Sequence, residues 1–327
     1  MDYAALPRRI HSGYYKTGHC QGIAVDTEKG YIYYSFTTCL VKSDLSGNII
    51  GSVDGLLGHL GCIDFNEADG HVYGSLEYKN DAIGKGILKN AGHGEITNAF
   101  YCAIFDVDKI DRMHMDACHD GVMRTAYLSE VVDDYLAVEN GVAHRNGCSG
   151  IDGTAIGPMP SAPKDSRQYV FIAYGVYGDV NRDDNDNQII LCYAPEKLAA
   201  AALPLEQGNM HTSGPAPECR LTAFTGNTTY GVQNLEYDIH TGDYFAAVYP
   251  GFKPIFANKP MYVLDGSAAP VDGKLKVKSV SDFPYGQTGM CALGDGYWYF
   301  SQHGHTEEGH YSEVVLYKYI DGKFEEV

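Results

Sequence analysis

A shift of 40 residues lays HCQGIAVDTEKGYIYY (19–34) over HLGCIDFNEADGHVYG (59–74), and this internal repeat constrains the fold more than any other feature. The shift superimposes His19 on His59, Ile23 on Ile63, Asp26 on Asn66, Gly30 on Gly70 and Tyr33 on Tyr73. A third copy, GVQNLEYDIHTGDYFA (231–246), keeps the frame with Leu235, Asp238, Gly242 and Phe245, and sets Gln233 on Gln21. A fourth, GQTGMCALGDGYWYF (286–300), fits with one residue deleted in the turn. The fifth opens GCSGIDG (147–153) and follows the frame only at its start.

Each copy reads as a β-hairpin. Apolar residues at alternate positions (Ile23 and Val25, Ile63 and Phe65, Leu235 and Tyr237) predict one buried face. The Asp/Asn-x-x-x-Gly segment supplies the turn, its side-chain acceptor folding the chain and its glycine taking positive φ. Further strands follow, as in CLVKSDLSGNIIGSV (39–53). Units beginning near 19, 59, 147, 231 and 286 that pack side by side and close radially make a propeller. The expectation is an all-β, five-bladed β-propeller, one domain over 1–327, with long loops on one face. An open β-solenoid is the structural alternative, but its repeats are shorter and more regular.

Composition narrows the partners. Gly 38 and Tyr 26 against a single Trp suit many short strands and tight turns. No run of 18 apolar residues exists, so no membrane span is expected. The first twenty residues lack the apolar stretch of a signal peptide, which makes a cytoplasmic location the expectation. Nine cysteines without CxxC spacing point away from a disulfide framework and from structural zinc. A net charge of −18 argues against nucleic acid or an anionic membrane as partner. A small-molecule substrate is expected and a nucleotide cofactor is not; the oligomeric state stays open.

The G-I-A-V-D…G-x-I-Y-Y core (22–34), followed by K-S-D-x-x-G-N-I-I (42–50), resembles blades of the NHL, YWTD and SMP-30-like propeller superfamily. The resemblance covers the inner two or three strands of each unit and implies the fold. Its members include hydrolases, lyases, isomerases and pure binding proteins, so it does not fix function. SMP-30-like lactonases place calcium on carboxylate and amide side chains. The paired histidines here do not match that arrangement, and the activity is not carried over.

In a propeller the innermost strand lines the channel, and the loops leading into it open on one face together with those between the second and third strands. His19 and His59 therefore should start inner strands at this mouth, with Gln21, Gln233 and Thr288 at a second equivalent position. Returning strands should end at Thr37, Glu77, Tyr249 and His303, followed by long loops at 78–98, 175–187, 250–260 and 303–312. Insertions confined to one face of a repeat protein usually mark its binding face.

His19, His59 and His303 are candidate metal ligands or acid–base groups, with Glu77 as a further ligand or base. SQHGHTEEGHY (301–311) adds His305, Glu307, Glu308 and His310, enough imidazole and carboxylate for Mn²⁺, Zn²⁺ or Fe²⁺. Its Q-H-x-H segment (302–305) resembles that of propeller lyases that hold Mn²⁺ with His and Gln. Gln21, Gln233, Tyr249 and Thr288 are candidates for orienting substrate; Arg145, Arg182 and Lys253 are candidates for an anionic group. Asp179, Asn181 and Asp183 alternate like the start of an EF-hand loop and suggest a separate calcium. Position six is Asp184 and position twelve Ile190, so the full motif is absent. His114, Asp116, His119 and Asp120 form another metal-capable group, while PEKLAAAALPLEQG (195–208) reads as a short helix. Cys20, Cys62, Cys148 and Cys291 fall on predicted inner strands, where thiols serve mostly as small hydrophobes.

These features favour an enzyme, hydrolase or lyase, acting at the channel mouth on a small, polar, carbohydrate-derived substrate. The alternative is a non-catalytic propeller that presents the same face to a ligand or a protein.

Overall fold

The computed structural model describes residues 2–327. Five sheets of four or five strands form the blades of a β-propeller, and a two-stranded hairpin (Val138–Glu139 with Val142–Ala143) stands apart from them. The inner strands are Cys20–Asp26, His59–Asn66, Cys148–Pro158, Thr228–Asp238 and Met290–Gly294, which define blades 1 to 5. No helix among the described residues is long and apolar enough to cross a membrane.

The alternation of apolar residues has a different outcome from the one-faced burial it predicts. Ile23 and Val25 pack toward blade 5, beside Cys291 and Leu293, while Ala24 between them packs toward blade 2 with Leu60 and Ile63. Each blade is sandwiched between two others, so both faces of its sheet are covered. Accordingly the apolar core divides into five clusters, one at each junction between neighbouring blades.

The repeat's turn chemistry is visible in the backbone. Gly30 N donates to Asp26 O (2.9 Å), Gly70 N to Asn66 O (2.8 Å) and Gly242 N to Asp238 O (2.7 Å). All three glycines hold positive φ, near +74°, +73° and +81°, where a side chain is strained. A second repeat-borne device joins blades: Ser35 and Ser75, 40 residues apart, each donate a buried Oγ–H to a carbonyl of the next inner strand, Gly61 O and Asp152 O, both at 2.6 Å.

The ring closes in blade 5. Arg9–His11 pairs with Glu313–Val315, and Lys323–Glu326 pairs with Tyr317–Ile320, so the first and last strands of the described chain share one outer edge. The Arg9 guanidinium bonds Glu313 (2.6 Å) and Glu326 (2.5 Å) where they meet.

Two expected loops carry regular structure. Residues 303–312 are not a loop: strands Tyr297–Thr306 and Gly309–Ile320 run through them, with Glu307 and Glu308 at the turn. His303 faces Ser312 and His305 faces His310, so the ladder continues to the tip. The 78–98 segment holds a helix, Ala82–Asn90, capped by Asp81 Oδ1 accepting from Gly84 N (2.9 Å). The helix expected within 195–208 covers Pro195–Ala201, after the third strand of blade 3.

Candidate active site

Bulges in the inner strands aim polar side chains at the mouth of the channel. In blade 1, Cys20 and Gly22 face Phe36 and Ser35, leaving Gln21 as an extra residue. Ser149 is extra in blade 3 and Gln233 in blade 4 for the same reason. A further bulge between Ile151 and Thr154 contains Asp152. Such insertions interrupt the ladder and re-aim side chains next to active sites. Beside Gln233, Tyr230 is held at φ +70°, a strained conformation for a tyrosine, and Gly231 follows at +79°.

These residues line one cavity of about 460 Å³. His19, Gln21, His59, Glu77, Asp152 and Gln233 line it together with Tyr177, Tyr230 and Tyr249. Glu77 is the hub. Its Oε1 accepts from Lys79 Nζ (2.6 Å), its Oε2 accepts from Ile151 N (3.0 Å), and His59 Nδ1 lies 3.4 Å from Oε1. Lys79 also donates to Ser149 O (2.8 Å) and lies 3.6 Å from Asp81. Asp152 Oδ1 is 3.7 Å from His59 Nδ1, and its Oδ2 accepts from Gln233 Nε2 (3.2 Å). On the other edge of the imidazole, Gln21 Nε2 lies 2.7 Å from His59 Nε2. A Gln21 amide donating there meets a neutral ring; when the ring is protonated, the amide must present its oxygen instead.

The two carboxyl groups are driven apart in acidity. Burial raises Asp152, and repulsion from Glu77 adds to it, so its carboxyl titrates at about 7 despite His59 and Lys79. Burial also opposes the charge of Glu77, but the Lys79 ammonium and His59 outweigh it and hold that carboxyl below its ordinary value. His59 is raised: burial works against its charge, and the hydrogen-bonding Glu77 with nearby Asp152 prevails. His19 goes the other way, down to about 4, through burial and the neighbouring His59, His303 and His310. The result is a fixed anion beside a carboxyl that exchanges its proton near neutrality, an arrangement suited to acid–base work.

No protein-family model matches the chain, and no curated protein matches it. Solved structures similar to it include the PQQ domain of pyranose dehydrogenase from Coprinopsis cinerea, at 11% identity and TM-score 0.43, covering 90% of this chain and 81% of that one. A functionally unknown protein from Desulfotomaculum acetoxidans has 10% identity and TM-score 0.40, over 94% of this chain and 68% of that one. The periplasmic gluconolactonase of Pseudomonas aeruginosa has 10% identity and TM-score 0.35, over 94% and 70%. At this distance the likeness is one of fold.

The remaining sequence candidates fall in several places. Thr288 donates to Ser301 O (3.0 Å) and does not line the cavity. Arg145 lies outside it, bound to Asp134 (2.5 Å) and Glu139 (2.7 Å). Arg182 pairs with Asp184, and Lys253 is buried against Asp186 and Asn185. Asp179 Oδ1 accepts from its own loop, Asn181 N (2.9 Å) and Nδ2 (3.1 Å), while Asp183 stays exposed. His114 pairs with Asp54 and His119 with Asp116, all away from the cavity. His303 joins His19 rather than His59, with ring centroids 5.4 Å apart. Gln302 donates to Tyr317 OH (3.3 Å), so the His and Gln of the Q-H-x-H segment do not converge. Cys20, Cys62, Cys148 and Cys291 are buried, and burial raises each thiol.

Asp152, Lys79 and Asp81 escaped the sequence reading. Lys79 follows Glu77 by two residues and so shares its side of the strand, a usable signal. Asp152 lies within the stretch of the fifth copy that keeps the frame, in register with Asp64 and Glu236, which is a usable signal as well.

His59, Glu77 and Asp152 form the one group of three close metal-capable side chains among the described residues, their ligand atoms all within 4.8 Å. Yet Lys79 Nζ already sits on Glu77 Oε1, bringing a positive charge to the place a cation would take. The donor set is satisfied by its own ammonium, and a divalent ion fits it poorly.

Proposed function

We propose that this chain is a hydrolytic enzyme for a small, uncharged, hydroxyl-rich molecule, with Asp152 as its general acid–base group. The observation that carries this reading is the placement of Asp152 on the cavity wall between His59 and Gln233, with Glu77 held separately by Lys79. Asp152 exchanges a proton with the reacting group or its water. His59, steadied by Gln21, stands 3.7 Å away as the partner that balances charge as that proton moves. Glu77 has both oxygens engaged and acts as a positioning residue. Tyr177, Tyr230 and Tyr249 offer ring faces and hydroxyls suited to a sugar-like ring.

Charge supports hydrolysis over elimination. Three carboxyl groups, Glu77, Asp81 and Asp152, line the cavity against one ammonium, Lys79, which is already paired. Elimination from an acidic sugar develops negative charge that needs an unpaired cation nearby. Arg145, Arg182 and Lys253, the other candidates for that role, are committed elsewhere.

The test is a panel of chromogenic neutral glycosides, sugar esters and lactones, assayed with the wild type and Asp152→Asn. The expected result is turnover of at least one class, lowered by roughly 10²–10⁴-fold in the variant, with the melting temperature kept. Saturable binding without turnover by the wild type would place the chain among binding propellers, and a fully active Asp152→Asn would remove the assigned role.

A further inference from the structure

The third and fourth strands of blade 3, Asn187–Tyr193 and Cys219–Phe224, run antiparallel and set Cys192 directly opposite Cys219. Residues paired in this way share one face of the sheet, with Cα atoms about 4.5 or 5.5 Å apart. A disulfide spans about 4.4–6.8 Å between Cα atoms, so either spacing admits one. Glu218 N donates to Cys192 O (2.7 Å), which fixes the two strands beside the pair. Both thiols are free; Cys192 is buried in the junction of blades 3 and 4, whereas Cys219, at the start of its strand, is only partly covered. Met159 Sδ lies 3.5 Å from Cys192 Sγ. Hydrogen bonding between the two thiols holds Cys219 below the ordinary thiol value although burial opposes it, and the same contact, with burial, raises Cys192. The accessible sulfur is therefore the readier thiolate, and its partner stands behind it.

We infer that Cys192 and Cys219 are a redox pair, closed to a disulfide by low-molecular-weight disulfides and reopened by thiols. The Cys219 thiolate attacks one sulfur of the small disulfide, a mixed disulfide forms, and the expelled thiolate takes up the proton that Cys219 gave up. Cys192 then loses its proton and attacks the Cys219 sulfur, expelling the second small thiolate, which is protonated in turn. Two electrons pass from the cysteine pair to the small disulfide, which leaves as two thiols. The new bond closes a loop over residues 192–219, whose middle crosses to blade 2. There Leu203 pairs with Thr125, Ser213 O accepts from Tyr127 N (2.8 Å), and Gln207 Oε1 accepts from Leu57 N (2.6 Å) and Tyr78 OH (2.9 Å). Oxidation thus seals a strap laid across the blade that carries His59 and Glu77. Neither cysteine lines the cavity, so this inference is independent of the hydrolytic reading.

The test treats folded full-length protein with oxidised glutathione, then counts free thiols after acid quenching and denaturation. The expected result is loss of two of the nine thiols, a peptide linking Cys192 to Cys219 in non-reduced digests, and full recovery with dithiothreitol. Cys192→Ser should stop at one glutathione per chain, held on Cys219. Cys219→Ser should lose thiols at least tenfold more slowly than the wild type; because Cys219 is partly exposed, this variant tests the pair even where Cys192→Ser fails to fold. Retention of all nine thiols by the folded wild type, a linkage joining other cysteines, or undiminished loss in Cys219→Ser would overturn the assignment.

Discussion

Lys79 and Glu77, two residues apart at the end of one blade 2 strand, form an ion pair of 2.6 Å with both side chains almost sealed from water. A buried pair of this kind adds little net stability, but each member is costly without the other.

Lys79→Met leaves Glu77 and Asp81 without their ammonium and should cost about 3–5 kcal/mol in urea unfolding. Adding Glu77→Gln should return a good part of that loss, because the orphaned charge goes with it. A single variant that costs under about 1 kcal/mol would show that water reaches the pair.

The buried carboxyl groups should lose their contribution to stability as pH rises from 5 to 8, against the opposite contribution of His19, which is lowered to about 4. Asp152 and Asp64 are both raised to about 7, chiefly by burial, and Glu236 is raised by burial and by Asp64. A carboxyl whose folded value lies above its unfolded value binds more protons in the native state across that interval. Its contribution is complete below the unfolded value and is lost on passing through the folded one. Glu236 Oε1 accepts from Ala292 N (2.8 Å), a bond that an amide oxygen can also accept. Glu236→Gln should therefore fold normally and show a smaller drop in melting temperature between pH 5 and pH 8. A drop in Glu236→Gln equal to that of the wild type would contradict the placement of this group.

Gly150→Ala should damage the site through Glu77. Gly150 sits at φ +129°, and a methyl there would meet Glu77 Oε2 at 2.0 Å. Backbone strain and crowding together should cost roughly 2–5 kcal/mol, and turnover should drop further than melting alone explains. Thermal denaturation beside kcat and KM separates the two effects.

The ring of blades was legible because each unit repeats a local pattern: a strand, an Asp or Asn, and a glycine four residues on. Gln21, His59 and Glu77 were legible with it, since equivalent positions in a ring converge. Asp152 was less visible, because the fifth copy loses the frame just after it and the irregularity that holds it, between Ile151 and Thr154, exists only in the strand pairing. The hairpin through 303–312 reads as a loop in the sequence because its polar residues alternate along a strand whose tip has solvent on its flanks. Pairing across the ladder, such as His305 with His310, is long-range information that hydropathy does not carry.

The shared outer edge of blade 5 has a mechanical corollary. Arg9–His11 and Lys323–Glu326 act as the two halves of a clasp on Gly309–Ile320, the strand that carries His310. Prising off either half would loosen the whole circle at the one seam next to His19 and His303. Tags or fusions that tug on these segments would thus be felt at the histidines before anywhere else.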